Sequence, residues 1–315
     1  MTGIGDSLGP PYSRLERFAV VGSTNDVVRA WLAEGTPEVC VAVADEQTAG
    51  RGRAGRRWLA PPGAALLVSL GFRPTWLSPD RAWRIPALVG LAMAEAAEDV
   101  AGLPERAVWL KWPNDLVVVT AGPDALLVGE VDAAAARARL TAPLEYRKLG
   151  GVLGETDGLG TPDPRLVVGV GVNADWPAAT FPAELAATMT SLREASGGRP
   201  IDRALLLDAF LDHLAARLEA LRVGRFPVDD WLARQLTTGR IVTVEAASGE
   251  AAPEGTPAEP AAAQRTETCL AVGLDPLSGA LLVTDPAAPE RGERAIHVGE
   301  VRHVRIAGRA ATAEV

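Results

Sequence analysis

Four arginines and three glycines share eight consecutive positions, Gly50-Arg51-Gly52-Arg53-Ala54-Gly55-Arg56-Arg57. Guanidinium forks match the geometry of carboxylates and phosphates, and glycines let a backbone come close to a ligand. Gln47 just upstream and Trp58 just downstream add a neutral hydrogen-bonding group and a stacking surface. The stretch has the chemistry to hold an anionic, partly flat ligand. Taken alone, such a charge run also suits a solvated surface loop. Two familiar nucleotide motifs are excluded. The spacing formally fits GxGxxG, but Pro61-Pro62-Gly63 forbids the helix that a dinucleotide fingerprint must open. Gly50 and Gly55 also sit at P-loop spacing, yet Arg56-Arg57 replaces the required Lys-Ser/Thr.

Three more clusters carry polar groups at the ends of apolar runs. Lys111-Trp112-Pro113-Asn114-Asp115 presents an ammonium, an amide and a carboxylate at a turn, though a plain Asn-Asp turn reads the same way. Lys148-Leu149-Gly150-Gly151 places a lysine beside a Gly-Gly pair, which marks either a close backbone approach or a bulge. Gly169-Val170-Gly171-Val172-Asn173 repeats the theme. Ser23-Thr24-Asn25 are all helix N-cap types, at least one of which is expected to cap its helix, and a helix N-terminus is also an anion site. His213 reads as a surface residue, and Ser69 lacks the elbow of a nucleophilic serine.

The elements that must position these groups follow from periodicity. Strands are expected at 17–21, 39–44, 64–72, 107–112, 152–155 and 166–172, with helices after Asn25, over 80–100 and after Asp202. The last carries Leu207, Phe210, Leu211, Leu214, Leu218 and Leu221 as a stripe, with Asp202 as its cap. Beyond Leu236 come short strands and an Asp275–Gly279 hairpin signal. The uneven mixture predicts an α+β domain followed by a small β-barrel.

Composition narrows the classes. The 315 residues hold 31 Lys and Arg against 40 Asp and Glu, a net charge of −9, so a general nucleic-acid binder is not expected. Two cysteines far apart and three histidines argue against a disulfide scaffold or a His/Cys zinc site. With neither a signal-peptide pattern nor an apolar run of membrane-spanning length, a cytoplasmic protein without a membrane partner is expected.

In chain order, Ser-Thr-Asn, Gln-x-x-Gly-Arg-Gly-Arg-x-Gly-Arg-x-Trp, Lys-Trp-Pro-Asn-Asp, Arg-Lys-Leu-Gly-Gly and Gly-x-Gly-x-Asn resemble the biotin protein ligases (biotin–[acetyl-CoA-carboxylase] ligases). The resemblance implies a class II aminoacyl-tRNA-synthetase-like α+β domain with a mixed sheet over 15–236. A leader at 1–14 would precede it. An SH3-like barrel over 237–315, with a disordered loop at 246–265, would follow it. It implies that ATP and biotin yield biotinoyl-5′-AMP, which a lysine of a biotin carboxyl carrier domain then attacks. Ser23, Thr24, Asn25, Gln47, Gly50, Arg51, Gly52, Arg53, Lys148 and Gly151 would contact biotin. Arg51, Arg53, Trp58, Lys111, Asn114, Lys148 and Asn173 would contact ATP, with Arg53 and Lys148 catalytic. Mg²⁺ would shield the leaving pyrophosphate, with Asp115 a candidate ligand. The Gly/Arg loop would order when ligand binds.

Some 15 residues precede the first strand, too few for a helix-turn-helix, so a monofunctional ligase is expected. The stretch 117–147 is longer than the family pattern. A lipoate or octanoate ligase of the same superfamily, or a non-catalytic biotin-binding regulator, stands as the alternative.

Overall fold

The computed structural model describes residues 9–121, 144–246, 266–298 and 301–306. Seven strands form the large sheet: β1 (Arg14–Val21), β2 (Cys40–Gln47), β3 (Ala65–Phe72), β4 (Val108–Lys111), β5 (Asp115–Ala121), β6 (Glu145–Asp157) and β7 (Arg165–Asn173). Their order is β1-β2-β3-β7-β6-β5-β4. Only β1 and β2 run parallel, joined by helix α1 (Thr24–Ala33); every other pair is antiparallel. This is a mixed sheet in an α+β fold, as the sequence predicts.

Every residue of β3 is buried, because helices cover both faces of the sheet. Leu66, Val68, Leu70 and Phe72 enter the main core with α2 (Arg84–Ala101) and α4 (Arg203–Arg222). Opposite, Val28, Trp31 and Leu32 of α1 pack on Cys40, Ala42 and Val167. The expected stripe of α4 is buried throughout, and Asp202 caps the helix through the N–H groups of Ala204 and Leu205. Two short helices, α3 (Leu192–Ala195) before α4 and α5 (Val228–Ala233) after it, complete this layer.

Several boundaries move. The first strand starts at Arg14, not Arg17, since charged residues are tolerated on a strand paired on one side. The second helix starts at Arg84, because Pro79–Arg81 first forms a separate 3-10 turn. The 152–155 strand extends over Glu145–Asp157, so Lys148-Gly-Gly lies inside a long strand. The stretch 117–147 is strand at both ends, and its middle, 122–143, lies outside the described residues. His213 is half-buried between two helices, with Nε2 2.8 Å from Asp99 and Nδ1 3.5 Å from Glu95.

The second sheet is antiparallel and contains β8 (Arg240–Ala246), β9 (Thr266–Leu274), β10 (Leu281–Thr284), β11 (Arg294–Ile296) and β12 (Val301–Ile306). Its order is β11-β10-β9-β8-β12; among the described residues no pairing of β11 with β12 closes it into a barrel. The Asp275–Gly279 turn joins β9 to β10 as expected. Most of the loop at 246–265 lies outside the described residues, Ala246 itself ending β8.

The two sheets are tied by tryptophans. Trp83 Nε1 donates to Leu277 O at 2.9 Å, and Trp112 Nε1 to Gly279 O at 3.1 Å. The connecting chain is itself pinned to β4: Leu110 N–H donates to Arg234 O, and Leu236 N–H to Leu110 O. Beneath it, the Arg234 guanidinium forks onto Glu98 at 2.7 and 2.9 Å, both side chains only 6% exposed. Removing one member strands a buried charge. Glu98→Ala should therefore lower unfolding stability by about 3–5 kcal/mol in urea titrations, while a Glu98→Leu/Arg234→Met double variant recovers most of the loss.

Candidate active site

Of the site residues expected from sequence, all except Gly50 line one cavity of about 240 Å³. It opens along the edge where β2, β5, β6 and β7 end or bend, roofed by the Gly/Arg loop. Gly50 contributes differently, because a Cβ there would lie 2.5 Å from Trp58 O.

At one end lies the start of α1. Ser23 holds the N-cap position, but no Ser-Thr-Asn side chain caps the helix. The sequence reading that at least one of them caps it is therefore corrected. Gln47 does this work instead: its Oε1 accepts from Thr24 N–H at 2.8 Å and from Thr24 Oγ1 at 3.1 Å. Ser69, passed over in the sequence, joins the two polar residues that follow Ser23. Its Oγ lies 2.7 Å from Thr24 Oγ1 and donates to Asn25 Oδ1 at 2.6 Å. Asn25 Nδ2 then donates to Glu155 Oε2 at 2.6 Å. A lone hydroxyl in the otherwise apolar Ala65–Phe72 strand was the available signal. Gly169 explains how the helix comes so near, since a Cβ there would collide with Asn25 Oδ1. Ser23, Thr24 and Asn25 are all buried.

The Gly/Arg loop is an ordered turn. Arg51 and Arg57 form a bridge, Gly52 N–H donates to Arg56 O at 2.7 Å, and Trp58 N–H to Gly50 O at 2.9 Å. Both expected anion-binding arginines have protein partners. Arg51 forks onto Asp26, with two 2.7 Å bonds that hold the Asp26 carboxyl below the usual carboxylate range. Arg53 reaches the second sheet, donating to Val298 O and Val301 O at 2.8 Å each. Trp58 lies flat against Gly171, where a Cβ would meet its ring at 2.7 Å. Its buried Nε1, on the Gly171 side, has no hydrogen-bond partner among the described residues.

The opposite end is set by strand register. Lys111 pairs with Asp115 across β4 and β5, and Asp115 with Gly151 across β5 and β6. Lys148 Nζ thereby reaches Asp115 Oδ1 at 2.5 Å, and Lys111 Nζ lies 3.4 Å from Oδ2. Lys111 is buried, whereas the Lys148 side chain is 36% exposed, toward the cavity. Burial pushes the Asp115 carboxyl up, but Lys148 and Lys111 outweigh it and hold the group well below the usual carboxylate range. Both of its oxygens face ammonium groups, so Asp115 is not placed as a magnesium ligand. No cluster of three or more His, Cys, Asp or Glu among the described residues could hold a metal. Asn114 Nδ2 donates to Val152 O, and Asn173 Nδ2 to Thr190 O, so both amides brace the walls. Gly151 leaves the room beside Asn114 O and Lys148 Cε that a side chain would take.

The arrangement supplies an ammonium held by a carboxylate, two loop arginines held by exchangeable acceptors, and an indole wall. Because the Asp115 pKa is depressed, its ion pairs contribute stability above the unfolded carboxylate pKa and lose it as pH falls through the lower folded value. Lys111→Met should raise that pKa, measurable as an upward-shifted ¹³C-carboxyl titration of Asp115.

The description of the biotin/lipoate A/B protein ligase family matches residues 18–173. A biotin–[acetyl-CoA-carboxylase] ligase of Mycobacterium tuberculosis is 31% identical over 77% of this chain and 78% of that protein. One of the same name from Paracoccus denitrificans is 29% identical over 70% and 80%. A biotin protein ligase from Aquifex aeolicus, solved in complex with biotin and ATP, superposes with a TM-score of 0.64 at 25% identity, over 93% of this chain and 99% of that one. No helix among the described residues is long and apolar enough to cross a membrane. Fold, motif order and these likenesses agree: the chain belongs to the biotin/lipoate A/B protein ligase family.

Proposed function

We propose that the chain is a biotin protein ligase, which activates biotin with ATP to biotinoyl-5′-AMP and passes the biotinoyl group to a carrier lysine. One observation carries this reading. A single cavity brings the Ser23–Asn25 corner, the Gly/Arg loop, Lys148 and Trp58 together in a chain 31% identical to a biotin–[acetyl-CoA-carboxylase] ligase.

The chemistry suits these groups. Adenylation brings a carboxylate against an α-phosphate, and fixed positive charge must offset their repulsion and the charge of the transition state. Lys148 is the best placed cation, since Asp115 fixes its ammonium while part of its surface faces the cavity. The Trp58 indole would line the nucleotide end of the pocket. Ser23, Thr24 and Gln47 would meet the polar end of biotin, while Asn114 and Asn173 hold the wall beside the nucleotide. Arg51 and Arg53 would act from the loop, Arg53 after exchanging the carbonyls of Val298 and Val301 for a phosphate. The carrier lysine amine then attacks the acyl carbon of the mixed anhydride, the amide bond forms as the acyl–phosphate C–O bond breaks, and AMP and the amine's proton leave. Mg²⁺ would enter with the ATP phosphates and shield the leaving pyrophosphate.

The acceptor is proposed to be a biotin carboxyl carrier domain, as the names of the relatives suggest. The unit boundaries near 15–236 and 237–315 belong to the same proposal. They are supported by the first sheet ending at Asn173 and the second starting at Arg240. The synthetase-like and SH3-like descriptions of the two sheets also rest on the resemblance.

Incubation with ATP and labelled biotin or lipoate, with and without a carrier domain, should give pyrophosphate release and biotin transfer. Lipoate transfer without biotin transfer, or binding without pyrophosphate, would overturn the reading. Lys148→Ala and Arg53→Ala should each slow adenylation about a hundredfold, and Lys148→Ala, which leaves Asp115 with Lys111 alone, should also lower the midpoint of thermal unfolding.

A further inference from the structure

Arg51 is expected from its type and place to grip an anion, yet its guanidinium is occupied by Asp26 in a two-bond fork, both bonds 2.7 Å. Asp26 stands in the first turn of α1, next to the Ser23–Asn25 corner. The helix dipole explains an acid at that position. It does not explain a fork arriving from a loop 25 residues further along the chain. Glu155 backs the pair: one oxygen lies 3.7 Å from Arg51, and the other accepts from Asn25 and, at 2.7 Å, from Arg29, which also bonds Asp26. Two carboxylates and two guanidiniums thus form a closed ring between α1, β6 and the loop. The loop's internal bonds hold only its own shape. Among the described residues its ties to the rest of the protein include Arg53 on the second sheet, Trp58 against Gly171 and under the Lys148 ammonium, a long Arg57 bond to Thr48 O, and the Arg51 fork on α1.

We infer that Asp26, backed by Glu155, is a positioning residue that clasps Arg51 and so holds the Gly50–Trp58 loop shut over the start of α1. The clasp rests on the function proposed above, because its use is to retain the adenylate beneath the loop until a carrier arrives. A mixed anhydride is hydrolysed when water reaches it, so a closed loop protects it. The pair is partly exposed, which makes it weak enough to open and close.

Hydrogen exchange on the full chain tests the clasp without any ligand. In Asp26→Asn, an isosteric change, the Ala49 amide, which donates to Gly22 O where the loop leaves β2 beside the start of α1, should exchange about fivefold faster than in the parent protein. Arg51→Lys, which keeps the charge but loses the fork, should do the same, and combining the two should add nothing. Unchanged or slower exchange in Asp26→Asn overturns the clasp. With biotin and ATP, biotinoyl-AMP should escape from Asp26→Asn about fivefold faster than from the parent. Slower escape, meaning that Asp26 merely keeps Arg51 from the ligand, also overturns it. A parent protein that makes no adenylate would refute the proposed function instead, while the exchange result still decides the clasp.

Discussion

The site depends on one carboxylate shared between two ammonium groups. The Asp115 side chain is 13% exposed, and its desolvation alone would favour the neutral form; the lysines at 148 and 111 chiefly keep it charged. Neither lysine reaches it through chain proximity alone. Lys111 arrives because β4 and β5 pair in one register, and Lys148 because β5 and β6 pair in another. A slip of one residue in either pairing would turn a charged group into the core. The register shift between Leu116 and Val117 in the β5–β6 pair, beside Gly150 and Gly151, shows where the backbone is bent to bring the three groups together.

Positive charge is gathered here within an acidic protein, and the protein contains it by pairing. Arg51 with Asp26, Arg53 with backbone carbonyls, and Lys111 and Lys148 with Asp115 each have acceptors while no ligand is bound. Self-repulsion among cations that must lie close together is thereby reduced. A phosphate bound as proposed would compete with these acceptors, so its affinity would be a difference between two sets of hydrogen bonds.

Much of this was legible in the sequence. The polar clusters singled out in the sequence, each where an apolar run ends or contains glycine, meet at one cavity, and the resemblance had already grouped them. The partners were not legible. Asp26 reads as an ordinary first-turn acid, Ser69 as a stray hydroxyl, and Glu155 as a strand-end charge. Each becomes significant only through residues distant in sequence. The capping expectation failed for the same reason: Ser, Thr and Asn suit an N-cap locally, but Gln47 and Ser69 offered tertiary hydrogen bonds that hold the helix on the sheet. The small sheet was recognisable from short strands and the Asp275–Gly279 turn, whereas its open strand order is a matter of long-range pairing.

The connector at Arg234–Leu236 has a thermodynamic consequence. A loose linker would let two sheets melt independently. Here the connector hydrogen-bonds to β4 and lies over a buried ion pair, while Thr237 accepts from Trp112 N–H. The small sheet cannot detach without unzipping the edge of the large one and exposing the tryptophan that begins the Trp112–Asp115 turn. The chain should therefore behave as one cooperative unit, with a single calorimetric transition, and thermal damage to the small sheet would be felt at the adenylation pocket at the same temperature.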